Sequence, residues 1–353
     1  DGGSIAHHPR RAKPEELANV VNVYCCVPPI PLEEARCLQQ LDSKSVKFIG
    51  VEPLFFTFDA VFYPGSKDIV FDRCKDIVHG VVEGRDGNIF VLGQEDTEKP
   101  LTMFGWGESD VHEVDEFEEF YNFSGLTPLI PSSFKEVFKE LESKTAGPDY
   151  YCVTCSVLEI QTLPSGDCVC SDLLDHQSDT FRQWQRPRRA LTREEGHSLC
   201  QSLHQEDCLD AYELMECVQQ ALRTRANGAG IIILTIRVVS ENEETLERTK
   251  GRLVFCELHD RISAAKATAS LELAALRDVL CGIQASPPIR PETDRILPNV
   301  LSNSLDASIA SRTAFFLNCS PRQDDKDATL QTLQYGACVD KASKSNSRPS
   351  LKF

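Results

Sequence analysis

The run at residues 231–239 (IIILTIRVV) is apolar at seven of its nine positions. A strand with one wet face alternates apolar and polar side chains, whereas a near-continuous run needs apolar cover on both sides. The chain must therefore supply a sheet with helices above and below it. Its other segments are patterned to do so. Residues 20–24, 55–62 (FFTFDAVF), 88–92, 150–158, 252–258 and 313–319 read as further strands. Ser66 is a candidate N-cap for a helix running to Val82, with Ile69, Val70, Cys74, Ile77, Val78, Val81 and Val82 on its buried stripe. Further helices are expected at 131–143, 211–223, 264–281, 294–305 and 327–338. The alternation predicts one α/β domain over 19–340, with a central mixed sheet of about eight strands flanked by helices on both faces. Residues 1–18 read as a flexible lead-in and 341–353 as a polar, serine-rich linker.

Charge narrows the choice of partners. The chain has 37 basic and 54 acidic side chains, a net −17, which on average repels nucleic acid and anionic lipid. There is no run of eighteen or more apolar residues, so no membrane span is expected, and a cytoplasmic setting is the default. Fifteen cysteines, an odd number without repeating spacing, fit reduced thiols better than a secreted disulfide framework. An acidic run at 107–123 reads as solvated surface, with docking of a basic partner as the minority alternative. Residues 161–207 read as a long polar excursion. It holds the one clustered positive patch, Arg182, Arg186, Arg188, Arg189 and Arg193 around Trp184, a solvated loop or a contact for an acidic surface.

The strand at 88–92 delivers the chain into Gly93-Gln94-Glu95-Asp96-Thr97-Glu98-Lys99-Pro100-Leu101-Thr102-Met103. A phosphate-cradling loop follows G-x-x-x-x-G-K-[ST]: the glycines let backbone N–H groups close on phosphate, the lysine neutralises it, and the hydroxyl ligates Mg²⁺. Here Gly93 and Lys99 remain. Glu98 stands where the second glycine belongs, and Asp96 adds another acid. Each carboxylate would repel a negative ligand by roughly 4 kcal/mol at ~4 Å for an effective dielectric of ~20. Pro100 replaces the hydroxyl, although proline is comfortable in a first helical turn.

Several strings, in this order, resemble a strongly divergent kinesin motor domain. FTFDAVF (56–62) and EGRDGNIFVLGQ (83–94) are similar to the family's approach to its phosphate loop, and Thr102-Met103-Phe104-Gly105 follows it. LIPSSFKEVF (129–138) resembles "GIIPRAIEDIF", and SVLEI (156–160) with DLL (172–174) resembles "SYLEIYNE…DLL". NVLSNSLDASIASRTAFFLNCSP (299–321) with ATLQTLQYG (328–336) completes the match, covering roughly 19–340. The resemblance implies an ATP-driven microtubule motor, but the motifs that would carry that activity depart from the family. The adenine-side "RxRP" falls on Cys26-Val27-Pro28-Pro29, without arginine. The first switch, "NxxSSRSH", falls near Asn227-Gly228-Ala229-Gly230-Ile231, and the second, "DLAGSE", on Glu257-Leu258-His259-Asp260-Arg261-Ile262. Asp260 stands where a glycine N–H should meet the γ-phosphate. The basic helix that faces tubulin in motile kinesins corresponds to PETDRILPNVL (291–301), with Ile296 and Asn299 at basic positions and Arg290 and Arg295 as partial substitutes.

Other constellations are weaker. Cys152-x-x-Cys155 with Cys168-x-Cys170 invites a zinc reading, but a spacing of three on a strand points side chains to opposite faces, so buried free thiols are the ordinary explanation. Cys25-Cys26 reads as a strand end, and His259 with Glu257 and Asp260 as a polar loop tip. The expectation is a pseudo-motor: no catalysis, no cofactor, no metal, and a cytoskeleton-associated scaffold for protein partners. The alternatives are a domain that binds microtubules independently of ATP through the arginines, and an active motor with an unorthodox site.

Overall fold

The computed structural model describes residues 20–31, 33–63, 70–93, 97, 99–105, 128–144, 149–162, 168–175, 183–186, 191–223, 230–259, 266–285, 291, 293–306 and 311–346. In chain order these form β1 (Val20–Cys26), β2 (Leu38–Gln40), β3 (Ser45–Phe48), β4 (Leu54–Thr57), β5 (Ala60–Phe62), α1 (Lys75–Val82), β6 (Asp86–Gly93), α2 (Lys99–Met103) and α3 (Leu129–Lys144). There follow β7 (Asp149–Thr162), β8 (Cys168–Asp172), β9 (Gln183–Arg186), α4 (Arg193–Ser202), β10 (Glu206–Cys208), α5 (Ala211–Arg223), β11 (Ile231–Asn242) and β12 (Arg248–His259). The chain continues through α6 (Lys266–Ile283), α7 (Ile296–Val300), β13 (Arg312–Asn318) and α8 (Lys326–Asn346).

One mixed sheet runs in the order β5-β1-β13-β6-β12-β11-β7-β8-β9, with β10 paired to β7 as a tenth strand. The five strands β5, β1, β13, β6 and β12 are mutually parallel, and the pairs beyond β12 are antiparallel. The apolar run behaves as its composition requires. Ile232, Leu234, Ile236 and Val238 enter one core, whereas Ile231 and Ile233 enter the other. The first core lies under α1, α3 and α5, and the second under α4, α6, α7 and α8. Phe90 of β6 and Phe315 of β13 meet edge-to-face, with ring centroids 6.0 Å apart, in the second core. Such a buried ring contributes about 1.5–3 kcal/mol by area alone. Among the described residues, no helix is long and apolar enough to cross a membrane.

Four expectations need correction. Residues 55–62 do not form one strand: β4 belongs to a separate sheet with β2 and β3, and β5 joins the main sheet. Asp59 makes the break, because its carboxylate accepts a hydrogen bond from the Val23 N–H at 2.8 Å while its own N–H donates to Val23 O at 2.9 Å. The excursion at 161–207 contains β8, β9 and α4 and runs into β10, and β8, β9 and β10 are strands of the main sheet not read from the sequence. The helix expected over 294–305 is the five-residue α7 followed by a 3-10 turn at Leu301–Asn303. The supposed linker from 341 is helical to Asn346, as the continuation of α8. Ser66, the acidic run at 107–123 and residues 1–18 lie outside the described residues.

Candidate functional site: the turn after β6

β6 is the inner strand between β13 and β12, and it ends at Gly93 opposite Asn318 and His259. The carboxyl end of an inner parallel strand is where open α/β sheets leave a ligand crevice. Here Thr97 and Asn318 pack against the end of the strand. A Cβ at Gly93 would lie 2.6 Å from Thr97 Oγ1 and 2.7 Å from Asn318 O, so the turn closes too tightly for any other residue. Asn318 Nδ2 reaches back across it, donating to Thr97 O at 3.1 Å and Thr102 Oγ1 at 2.9 Å.

Lys99, the first residue of α2, is 1% exposed. Its ammonium donates to Gly93 O at 2.8 Å and Leu258 O at 3.4 Å, carbonyls at the ends of two neighbouring strands. Burying an ammonium is expensive unless such partners stabilise it. Pro100 follows in the first turn, and its carbonyl accepts from Phe104 N at 2.7 Å. Asp96 and Glu98 lie outside the described residues.

On the second-switch side, Glu257 is not at a loop tip. It is 1% exposed within β12, opposite Val91 of β6 and Ile232 of β11. Glu159 of β7, also buried, lies opposite the same Ile232, so β11 separates two interior carboxyl side chains. Gly230 precedes β11 and lies against the Glu159 side chain. Asn227 and Asp260 lie outside the described residues, as does the side chain of His259. At the adenine side, Cys26 and Val27 are buried at the end of β1.

Of the arginines expected to cluster around Trp184, Arg193 is the one whose side chain is described. Arg193, at the start of α4, is ion-paired with Asp306. Arg295 precedes α7 and lies 3.7 Å from Asp294. The two arginines share an open cleft of about 1040 Å³ with Glu194, Asp278 and Asp294. Arg186 is on β9, and Arg182, Arg188, Arg189 and Arg290 lie outside the described residues.

All five residues of α7 are buried, including Ile296 and Asn299. Asn299 Nδ2 donates to Leu191 O at 2.6 Å and Thr293 O at 2.8 Å. Glu272 of α6 is also buried and accepts from Leu297 N at 2.8 Å, and burial raises its carboxyl above the ordinary range. Both groups fix α7 to the body; the sequence marked Asn299 only as standing at a basic position and did not mark Glu272, because Leu191 and Leu297, whose backbone atoms they bond, lie far along the chain.

The cysteines of the dismissed zinc reading fall on different faces. Cys152 is exposed and Cys155 buried, while Cys168 and Cys170 belong to the opposite core. All fifteen cysteines are free thiols.

A profile of the kinesin motor domain matches residues 33–342. Kinesin-related protein 7 of Dictyostelium discoideum is 24% identical over 95% of this chain and 27% of its own length. Kinesin-like protein KIN-14D of Arabidopsis thaliana is 25% identical over 92% of this chain and 43% of its own. This chain therefore spans less than half of either relative. Its backbone is similar to the motor domain of the Kar3-like kinesin from Ashbya gossypii, with a TM-score of 0.68 at 19% identity, covering 91% of this chain and 99% of that one. Fold and sequence profile agree over the same span, and the chain belongs to the kinesin motor-domain family.

Proposed function

We propose that this domain is a non-catalytic kinesin-like module, which keeps the motor's frame and serves as a cytoskeleton-associated scaffold for protein partners in the cytoplasm. The observation that carries this reading is the state of Lys99. In a working phosphate loop the lysine faces the nucleotide, whereas here its ammonium is buried against Gly93 O and Leu258 O. The residues present do not fit a magnesium–nucleotide. Pro100 has no hydroxyl to ligate the metal, no arginine stands at Cys26-Val27-Pro28-Pro29 to hold adenine, and the sequence offers Glu98 and Asp260 where glycine N–H groups belong. A single loss could be compensated, but these four act on different parts of the same ligand.

Kinesin motor domains as a family bind microtubules, and two observations speak against a strong contact through the usual helix. The α7 side chains that align with the family's basic positions are buried, and the adjacent cleft carries Glu194, Asp278 and Asp294 beside its two arginines. Phosphate release and pelleting with taxol-stabilised microtubules test the proposal. The expected result is no microtubule-stimulated release and weak pelleting. Strong pelleting unaffected by ATP or ADP would replace the proposal with an ATP-independent filament binder, and stimulated phosphate release would make the domain a motor.

A further inference from the structure

Away from the turn after β6, three thiols converge from three elements. Cys155 of β7 and Cys208 of β10 lie on one face of an antiparallel pair in which Cys208 is opposite Val153 and Glu206 opposite Cys155. Cys217 comes from α5, which packs over these strands in the same core. The three sulfurs all lie within 4.8 Å of one another, with Cys208 Sγ 3.9 Å from Cys217 Sγ. Cys155 and Cys208 are buried and Cys217 is half-buried, so the cluster has one side towards solvent.

Two thiolates on one tetrahedral zinc, each at ~2.3 Å from it, stand ~3.8 Å apart, close to the separation found here. Soft sulfur donors select closed-shell thiophilic cations over Mg²⁺ or Ca²⁺.

We propose that Cys155, Cys208 and Cys217 form a three-thiolate site for a thiophilic d¹⁰ cation, Zn²⁺ or Cu⁺, which staples α5 and β10 to β7. Binding releases the thiol protons to solvent and involves no change of oxidation state. The site is independent of the reading of the phosphate turn, since it lies under a different helix and uses none of the same residues.

The test uses the whole 353-residue chain, reduced and stripped of metal, titrated with Co²⁺ and then with Zn²⁺. One equivalent of Co²⁺ with a thiolate-to-cobalt charge-transfer band, displaced by one Zn²⁺, is expected. Cys217→Ala, at the half-buried position least able to disturb folding, should weaken binding by more than about tenfold, the least that even an outer-sphere partner gives. Cys152→Ser, on the same strand but exposed, should leave binding unchanged. If Zn²⁺ fails but one Cu⁺ binds with the same dependence on Cys217, the site stands and copper(I) is its cation. Absence of stoichiometric binding by either ion, or binding indifferent to Cys217→Ala, would overturn it.

Discussion

Lys99 could be located from the sequence but not understood from it. Its place in the chain marks a phosphate-binding lysine, and its ammonium donates to carbonyls six and 159 residues away. Replacing it with methionine would leave two interior carbonyls without this donor, at about 1–3 kcal/mol for a buried unsatisfied group. Lys99→Met is accordingly expected to lower the urea-unfolding free energy by that amount; unchanged or increased stability would point back to a lysine kept for a ligand. Glu272 gives a pH signature. Its folded-state pKa is raised, mainly by burial, so its contribution is most favourable below the ordinary glutamate range and is lost as pH rises through the folded value. Glu272→Gln keeps an acceptor for Leu297 N without the buried charge. It should therefore melt higher than the parent near neutrality, with the difference shrinking as pH falls through the carboxylate range. A gap that widens on acidification would contradict this assignment.

At the scale of elements, periodicity located β1, β6, β7, β11, β12, β13 and α5 because each buries apolar side chains at regular spacing. It failed across 161–207, where polar composition concealed α4. The local signal was there: Thr192 and Glu195 form a capping box, with Glu195 N donating to Thr192 Oγ1 at 3.2 Å and Thr192 N donating to Glu195 Oε2 at 2.9 Å. Thr192→Ala should cost about 1 kcal/mol in denaturant unfolding. The close packing of α4 on α7 depends on Gly196, where a Cβ would fall 2.5 Å from Asn299 O. Gly196→Ala is expected to destabilise by about 1–3 kcal/mol through overpacking, more than Thr192→Ala despite adding a better helix former. If Gly196→Ala were neutral or stabilising, α7 would not be seated as described. The split of 55–62 at Asp59 was illegible for a different reason: the partner that breaks the strand, Val23, lies 36 residues earlier.

For the whole molecule, the family was legible because framework strings persist in order along the chain, and the sheet they build keeps a kinesin shape at 19% identity to a solved motor domain. The pairing of Cys155 with Cys208 and Cys217 was not legible, since it arises when β10 pairs with β7 and α5 folds over them, a consequence of topology rather than motif. A net charge of −17 adds a long-range term that disfavours polyanions everywhere except at local basic clusters. The frame and the proposed loss of the fuel cycle are therefore separable: stability resides in the two cores, while nucleotide affinity would depend on the few groups around the turn after β6. The most direct measurement is calorimetric titration of the purified domain with Mg-ATP and Mg-ADP. The account predicts no saturable heat and no nucleotide carried through purification; a saturating one-to-one isotherm, or ADP recovered with the protein, would contradict it.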